Sequence, residues 1–149
     1  MKGTLILADA AQGDPNGKVH ALGAGWSVTG SPTPPMALIL LIDCPWDETN
    51  TKHQVIIDLV DSDGRPVSFE TGPLGDPRPA IHIEAHIEAG RPPGLPHGAP
   101  VRQQMAIGLG PMPLSPGQFY EYRLSIGGKV MDSWLATFFV REAPPAFPA

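Results

Sequence analysis

The segment His82-Ile83-Glu84-Ala85-His86 carries side chains of the types that bind zinc or transfer protons. Metalloproteases place two histidines one helical turn apart, but their glutamate directly follows the first histidine, and Glu84 stands one position too late. Isoleucine and alanine also alternate strictly with the polar residues, which is typical of a half-buried strand rather than a helix.

On a strand, residues two apart lie about 6.6 Å from each other, so Glu84 and either histidine reach one ion. The two histidines, about 13 Å apart, do not share one. A zinc site needs three or four ligands, and this strand offers two. The pattern therefore predicts a solvent-facing strand without a metal. For Arg102, which we place on the neighbouring strand, we expect a cross-strand pair with Glu84 or Glu88.

The sequence "CPWDETN" at residues 44–50 raises the question of a cysteine nucleophile. Such a nucleophile needs a neighbouring base, and no histidine of the chain stands at a spacing that ties it to Cys44. We interpret Cys44 as a small buried apolar residue at a strand end, and we expect Asp47 and Thr49 to bond their own loop's backbone. Trp46 either anchors a partner or folds back to cap the core, and the sequence leaves both open.

Two further motifs resemble functional loops without meeting their requirements. The stretch "DSDG" at 61–64 opens like a calcium loop but lacks the later acidic ligands and the terminal glutamate. The glycines of "GAGWSVTG" at 23–30 fit neither a nucleophile elbow, nor a dinucleotide fingerprint, nor a P-loop. The sequence predicts no catalytic residue, no cofactor and no metal, and hence a protein that is not an enzyme.

The elements that would position these residues are short strands. The 19 prolines and 17 glycines cluster between apolar runs, which is how all-β domains separate their strands. We predict strands at Leu5–Ala8, His20–Val28, Ala37–Cys44, His53–Val60, Val67–Phe69, Ile81–Ala89, Arg102–Leu109, Phe119–Ile126 and Trp134–Val140. The fold class is all-β, an immunoglobulin-like antiparallel β-sandwich of about seven to nine strands, with a closed β-barrel as the alternative.

The segment "LSPGQFYEYRLSI" gives the most specific local expectation. A tyrosine just after a Pro-Gly turn can bond nearby backbone through its hydroxyl, which is the tyrosine corner of these sandwiches. Tyr120 and Tyr122 are the candidates for this structural role. We also expect Tyr120–Ile126 to pair with Trp134–Val140 in a final hairpin.

The whole chain is predicted to form one β-sandwich domain over residues 1–142, followed by a proline-rich C-terminal tail at 143–149. A net charge of −5 without blocks of like charge disfavours a nucleic-acid partner. The longest apolar run is too short to span a membrane, and the first residues lack the apolar core of a signal peptide. We therefore expect no membrane partner and a cytoplasmic location.

The motifs "LILADAAQ", "GKVHALGAGWSVTG", "IDCPWD", "DSDGRPV", "EAGRPPGLPHG" and "LSPGQFYEYRLSI" together carry a resemblance over roughly residues 4–141. The chain resembles a family of small all-β proteins of unknown function from actinobacteria and their bacteriophages. The resemblance implies a β-sandwich without an assigned activity or cofactor, so no functional residue carries over. Occurrence in phages implies, by analogy at the level of the fold, a virion component such as a capsid decoration protein, and with it a virion location as the alternative to the cytoplasm.

The expected function is that of a non-enzymatic protein-interaction or structural module, whose partner is another protein or a further copy of the chain. The stiff loop Gly90–Pro100, the loop around Trp46 and the tail are its expected surfaces, because prolines lower the ordering cost of binding. The candidate partner-binding residues are Trp46, Arg91, Leu95, His97 and Phe147. Two alternatives remain open: a cytoplasmic metal-binding protein or enzyme using His82, Glu84 and His86, and a host small-ligand-binding module.

Overall fold

The computed structural model describes residues 1–70 and 77–142, and within them the chain forms twelve strands and no α-helix. The strands are β1 (Lys2–Ala8), β2 (Ala10–Gly13), β3 (Val19–Leu22), β4 (Val28–Thr29), β5 (Met36–Cys44), β6 (Lys52–Asp61), β7 (Ser68–Glu70), β8 (Pro77–Pro79), β9 (His82–Glu88), β10 (Val101–Leu109), β11 (Gln118–Ile126) and β12 (Lys129–Val140). In this part of the chain, no helix is long and apolar enough to cross a membrane.

Eight of the strands form two open sheets. One has the order β1-β5-β10 and the other the order β4-β12-β11-β6-β9, while β2–β3 and β7–β8 are separate hairpins. If β1, β5, β6, β9, β10, β11 and β12 are lettered A, B, C, C′, E, F and G, the sheets read ABE and C′CFG, the arrangement of an immunoglobulin-like sandwich. The predicted sandwich is confirmed. The barrel alternative is wrong, because neither sheet closes on itself within the described residues.

The core lies between the two sheets and follows the alternation of each strand. On β11, Tyr122 and Leu124 are fully buried, and on β12 the Phe138 ring stacks on Tyr122 with centroids 5.6 Å apart. Leu38 and Leu40 of β5 belong to the same buried cluster from the opposite sheet. Burial of each such side chain stabilises the fold by about 1.5–3 kcal/mol, which is why one register of each strand is favoured.

The final hairpin forms as predicted. Tyr120 pairs with Phe138, and the strands are joined at Gly127-Gly128. β12 begins at Lys129 rather than at Trp134, with an irregularity where three extra residues of β12 bulge from the ladder.

Of the two candidate tyrosines, Tyr120 has the corner geometry: its hydroxyl accepts a hydrogen bond from the Ser115 N–H at 3.0 Å, five residues upstream.

The predicted strand His20–Val28 is wrong. β3 ends at Leu22 and β4 begins at Val28, and Gly23 between them has φ +61°, a left-handed conformation that a strand does not contain. The chain first makes the hairpin β2–β3, of which β2 was not expected. This hairpin contacts β5 and β10 on the outer side of the three-stranded sheet, where Ala37 and Ile39 are buried.

The expected pair between Arg102 and a glutamate of β9 is also wrong, because β9 and β10 belong to different sheets. β10 pairs with β5, which places Arg102 beside Asp43. The guanidinium donates from Nε and Nη2 to the two carboxylate oxygens, at 2.6 and 2.9 Å. β9 instead pairs with β6, so the successive strands β9 and β10 lie on opposite sides of the core.

Candidate functional site

Two of the loops singled out in the sequence meet at one end of the sandwich, which we call the loop end. β5 ends there at Cys44, and residues 45–51 lead into β6. β9 ends there as well, and residues 89–100 lead into β10. The backbone N–H of Asn50 donates to the carbonyl of Ala89 at 2.8 Å, which joins the two loops directly.

The loop 89–100 consists of two successive hydrogen-bonded turns. Leu95 N–H bonds the carbonyl of Pro92, and Ala99 N–H bonds the carbonyl of Pro96. The third residues of these turns are Gly94 and Gly98, with φ +83° and +86°. A glycine with positive φ at this position is the signature of type II turns. The prolines and glycines of "PPGLPHG" therefore encode a defined shape that presents His97 at the tip of the second turn.

Arg91 and Trp46 form the centre of the loop end. The guanidinium carbon of Arg91 lies 3.9 Å from the centroid of the Trp46 ring, a cation–π contact. Arg91 Nη2 also donates to the backbone carbonyl of Trp46 at 2.9 Å, and its Nε donates to Thr49 Oγ1 at 2.8 Å. The His97 ring lies 4.7 Å from the Trp46 ring. Arg91 and His97 thus both pack on the Trp46 ring.

The loop end is anchored to the core beneath it. Leu95 packs on a small buried cluster of Cys44, Ala89 and Val101. Thr49 is buried, and its hydroxyl donates to the Trp46 carbonyl at 2.7 Å, as expected for a residue that bonds its own loop. Trp46 is half-buried under Arg91 and His97. It therefore neither caps the main core nor stands free in solvent.

Beside Trp46 lies an open groove of about 520 Å³. Its lining includes aromatic, proline and charged side chains: Lys2, Asp43, Pro45, Trp46, Asp47, His97 and Pro100. Asp47 was expected to bond the backbone of its own loop, but its side chain lines this groove instead. The hydrogen bonds from Arg102 lower the pKa of Asp43. This carboxylate therefore stays ionised, and both of its oxygens are paired with the Arg102 guanidinium.

Cys44 lies at the inner end of the same region. Its side chain is fully buried, and its sulfur contacts the Pro45 carbonyl at 3.6 Å. Burial raises the pKa of the thiol, so the sulfur is held as an unreactive thiol. This agrees with the interpretation of Cys44 as a small apolar residue.

The polar residues of β9 face solvent, as the alternation predicted. His82 lies between two carboxylates, with Nδ1 2.5 Å from Asp58 Oδ1 and Nε2 2.9 Å from Glu84 Oε1. The hydrogen bond to Asp58 is the largest cause that raises the pKa of His82 above its ordinary value, and the hydrogen bond to Glu84 is the second largest. His86 is separate and stands opposite Gln54.

Both ring nitrogens of His82 therefore point at carboxylates, whereas a metal ligand must present a free nitrogen lone pair. Over residues 1–70 and 77–142, no group of three or more histidine, cysteine, aspartate or glutamate side chains could hold a metal ion. The arrangement suits a protonated histidine in an exposed ion-pair network.

Of the five candidate partner-binding residues, Arg91 and His97 both contact Trp46, and Leu95 packs on the small buried cluster beneath the loop. Phe147 lies outside the described residues, as does the whole tail 143–149. Thr49 and Asn50, which fix the loops together, were not expected to reach across to residues 89–91. Nothing in the local sequence "DETN" predicts that Thr49 and Asn50 bond residues of the other loop.

A comparison with models of known protein families matches residues 3–137, which run from β1 to near the end of β12. The chain belongs to DUF6941, a family of unknown function. The comparisons with curated proteins and with solved structures give no match. The resemblance drawn from the motifs is thus confirmed as membership of a family without an assigned activity, and the loop end has to be interpreted from its own geometry.

Proposed function

We propose that this DUF6941 member is a non-enzymatic protein-binding module that contacts its partner through the loop end. The observation that carries this proposal is that Arg91 and His97 of one loop contact Trp46 of the other, and that Trp46 and His97 line an open groove. Tryptophan and arginine are the residue types most enriched among the side chains that dominate binding energy in protein interfaces.

The loop end is also prepared for binding before a partner arrives. Ordering a rotamer-rich side chain on association costs about 0.5–1.5 kcal/mol, and flexible loops cost more. Arg91 is already fixed by two hydrogen bonds and by its contact with the Trp46 ring. The two turns of the loop 89–100 limit its backbone in the same way. Little of the interaction energy is then lost to ordering.

Within this class, we propose that the protein is a structural component of a bacteriophage virion, such as a capsid decoration protein. The support is the occurrence in phages that the resemblance of the motifs implies, together with an immunoglobulin-like sandwich whose loops are rich in proline. A virion or the cytoplasm of an infected cell would then be its location. The genes on either side of its own test this quickly: head and tail genes are expected, and metabolic genes would contradict it.

The rival function uses the exposed face of His82, Glu84 and His86 to bind a metal. The carboxylates on both nitrogens of His82 make this the weaker proposal. Metal analysis of the purified protein decides between the two. Stoichiometric zinc that is lost in both His82→Ala and His86→Ala would favour the rival.

The test of the binding module is photo-crosslinking in cells that naturally produce the protein. A benzophenone amino acid at position 97 is expected to give covalent adducts with another protein chain. The same amino acid in place of Asp63, which is exposed in the turn after β6 at the opposite end, is the matched control. No adduct at position 97, or equal adducts at both positions, would overturn the proposal. Mass spectrometry of the adduct then tests the virion role, because only capsid or tail proteins, or the chain itself, support it.

A further inference from the structure

We propose that the groove beside Trp46 takes up the proline-rich segment 143–149 of a second copy of this chain. The inference rests on the proposed binding role of the loop end and names its occupant. It joins two features that the family membership does not connect, namely an aromatic groove at one end of the sandwich and a proline-rich sequence that leaves the other end.

The groove has the chemistry of sites that bind proline-rich peptides. Such peptides dock into grooves lined by aromatic rings, between which the proline rings pack. Here the lining contains the rings of Trp46 and His97, with Pro45 and Pro100 beside them. A polyproline II helix makes no internal hydrogen bonds, so its carbonyl groups are available to a donor such as the indole N–H of Trp46.

The segment 143–149 has the matching sequence, "APPAFPA". Proline fixes φ near −65°, so Pro144, Pro145 and Pro148 favour the extended polyproline II conformation and lower the entropy lost on binding. Phe147 supplies one large apolar side chain as an anchor. The segment itself carries no charged side chain, so none of its side chains has to lose the hydration of an ion in the groove.

The positions of the two features exclude binding within one copy. The segment follows Val140 and Glu142, which lie next to Gly117 at the start of β11. The loop end lies beyond the other end of β11, which is about 26 Å away for a strand of this length. Phe147 is five residues after Glu142 and reaches at most about 18 Å from it. Phe147 of one copy can therefore enter only the groove of another.

The resulting contact is head-to-tail. Each copy offers a groove at one end and a segment at the other, so the interface is heterologous and leads to a ring or a filament of copies. The charges at the junction are compatible, because Arg141 and Glu142 precede the segment and Asp47 and Lys2 flank the groove. Repeated copies joined in this way would suit a protein that coats a larger assembly.

The first experiment adds a synthetic peptide of residues 141–149 to the dilute, ¹⁵N-labelled full-length chain. Saturable binding is expected, with shifts of the Trp46 indole signal and none of the Trp26 and Trp134 signals. A peptide with alanine at 144, 145, 147 and 148 should give no shift. The absence of saturation at millimolar peptide, or shifts confined to other regions, would overturn the inference.

The second experiment measures the affinity of the fluorescently labelled peptide for variants of the full chain by anisotropy. Trp46→Ala should weaken binding more than about tenfold, as expected for a central anchor. His97→Ala, an exposed position that leaves the fold intact, should also weaken it, whereas Asp63→Ala should not. Sedimentation velocity should show association of the full chain that rises with concentration and is lost in a Phe147→Ala, Pro145→Ala variant.

The outcomes separate this inference from the proposed function. If the peptide does not bind but a benzophenone at position 97 still captures a different protein, the inference fails and the binding module stands. If the peptide does not bind and position 97 captures nothing, both fail. An adduct between two copies of the chain at position 97 supports both.

Discussion

The two buried tyrosines of β11 provide a matched test of what their hydroxyl groups contribute to stability. Tyr120→Phe removes the hydroxyl that accepts the Ser115 N–H at 3.0 Å. A hydrogen bond of this kind contributes about 0.5–1.5 kcal/mol net to the free energy of unfolding. Ser115 is exposed, so water can replace the lost partner, and we expect a loss of about 1 kcal/mol.

Tyr122→Phe should behave differently although the same atom is removed. The Tyr122 side chain is fully buried, and within the described residues its hydroxyl finds one hydrogen-bond partner, the thioether Sδ of Met36, at 3.4 Å. Sulfur is a weak acceptor, while burial of a hydroxyl without a good partner costs about 1–3 kcal/mol. The same burial raises the pKa of Tyr122 above its usual range. We therefore expect Tyr122→Phe to change the free energy of unfolding by less than about 0.5 kcal/mol, or to increase it.

The assay is equilibrium unfolding in urea, followed by circular dichroism for the wild type and both variants. An unchanged dependence on urea concentration shows that the unfolded states are comparable, so that the midpoints report stability. The expected result is that Tyr120→Phe is the less stable variant by about 1 kcal/mol. Equal losses, or a larger loss for Tyr122→Phe, would refute the assignment of Tyr120 as the corner residue.

Three further predictions concern charge and backbone. By NMR titration, the pKa of His82 should lie above its ordinary value of 6.5, and Asp58→Asn should lower it. Because the folded-state pKa is raised, the ion pairs of His82 stabilise the fold fully below about pH 6.5, and this contribution is lost as the pH rises through the folded-state pKa. The pKa of Asp43 should lie below 3.8 and should rise in Arg102→Ala. The stability that this ion pair adds is present above pH 3.8 and is lost as the pH falls through the folded-state pKa. Gly23→Ala should destabilise the fold by about 1–2 kcal/mol in thermal unfolding, because φ is +61° and the added methyl meets the Asp9 side chain.

Each of these three predictions has a control and an outcome that contradicts it. Glu84→Gln should lower the pKa of His82 less than Asp58→Asn does, and the reverse order would contradict the geometry. If Arg102→Ala leaves the Asp43 pKa unchanged, the bidentate pair does not form in solution. Gly13→Ala meets no atom within 4 Å and should have little effect, so equal losses at Gly13 and Gly23 would show that the positive φ is not the cause.

Much of the fold was predictable because strands obey a local rule. Alternation placed Tyr122 and Leu124 inside, and it placed His82, Glu84 and His86 outside. The failure at His20–Val28 has a local cause as well. Gly23 in the left-handed region ends the strand, but glycine also occurs in ordinary strands, so the composition alone did not reveal the turn.

Strand pairing was much less predictable. The strand after β9 was expected to be its neighbour, since consecutive strands often pair. The loop 89–100 instead carries the chain across the core to the other sheet, where β10 pairs with β5. Both pairings satisfy the same alternation of apolar and polar residues, so periodicity does not distinguish them. The partner of Arg102 was predicted incorrectly for this reason.

The sequence by itself determined the all-β class, the faces of the long strands and the tight turns, because each depends on residues a few positions apart. The turns of "PPGLPHG" are a clear case, since proline fixes φ near −65° and glycine tolerates the positive φ that the turns require. Only the tertiary structure decided that Arg91 lies over Trp46, 45 residues away in the chain. That contact depends on two loops leaving different sheets at the same end of the sandwich. The pairing of distant strands sets this geometry, and no local preference of either loop encodes it.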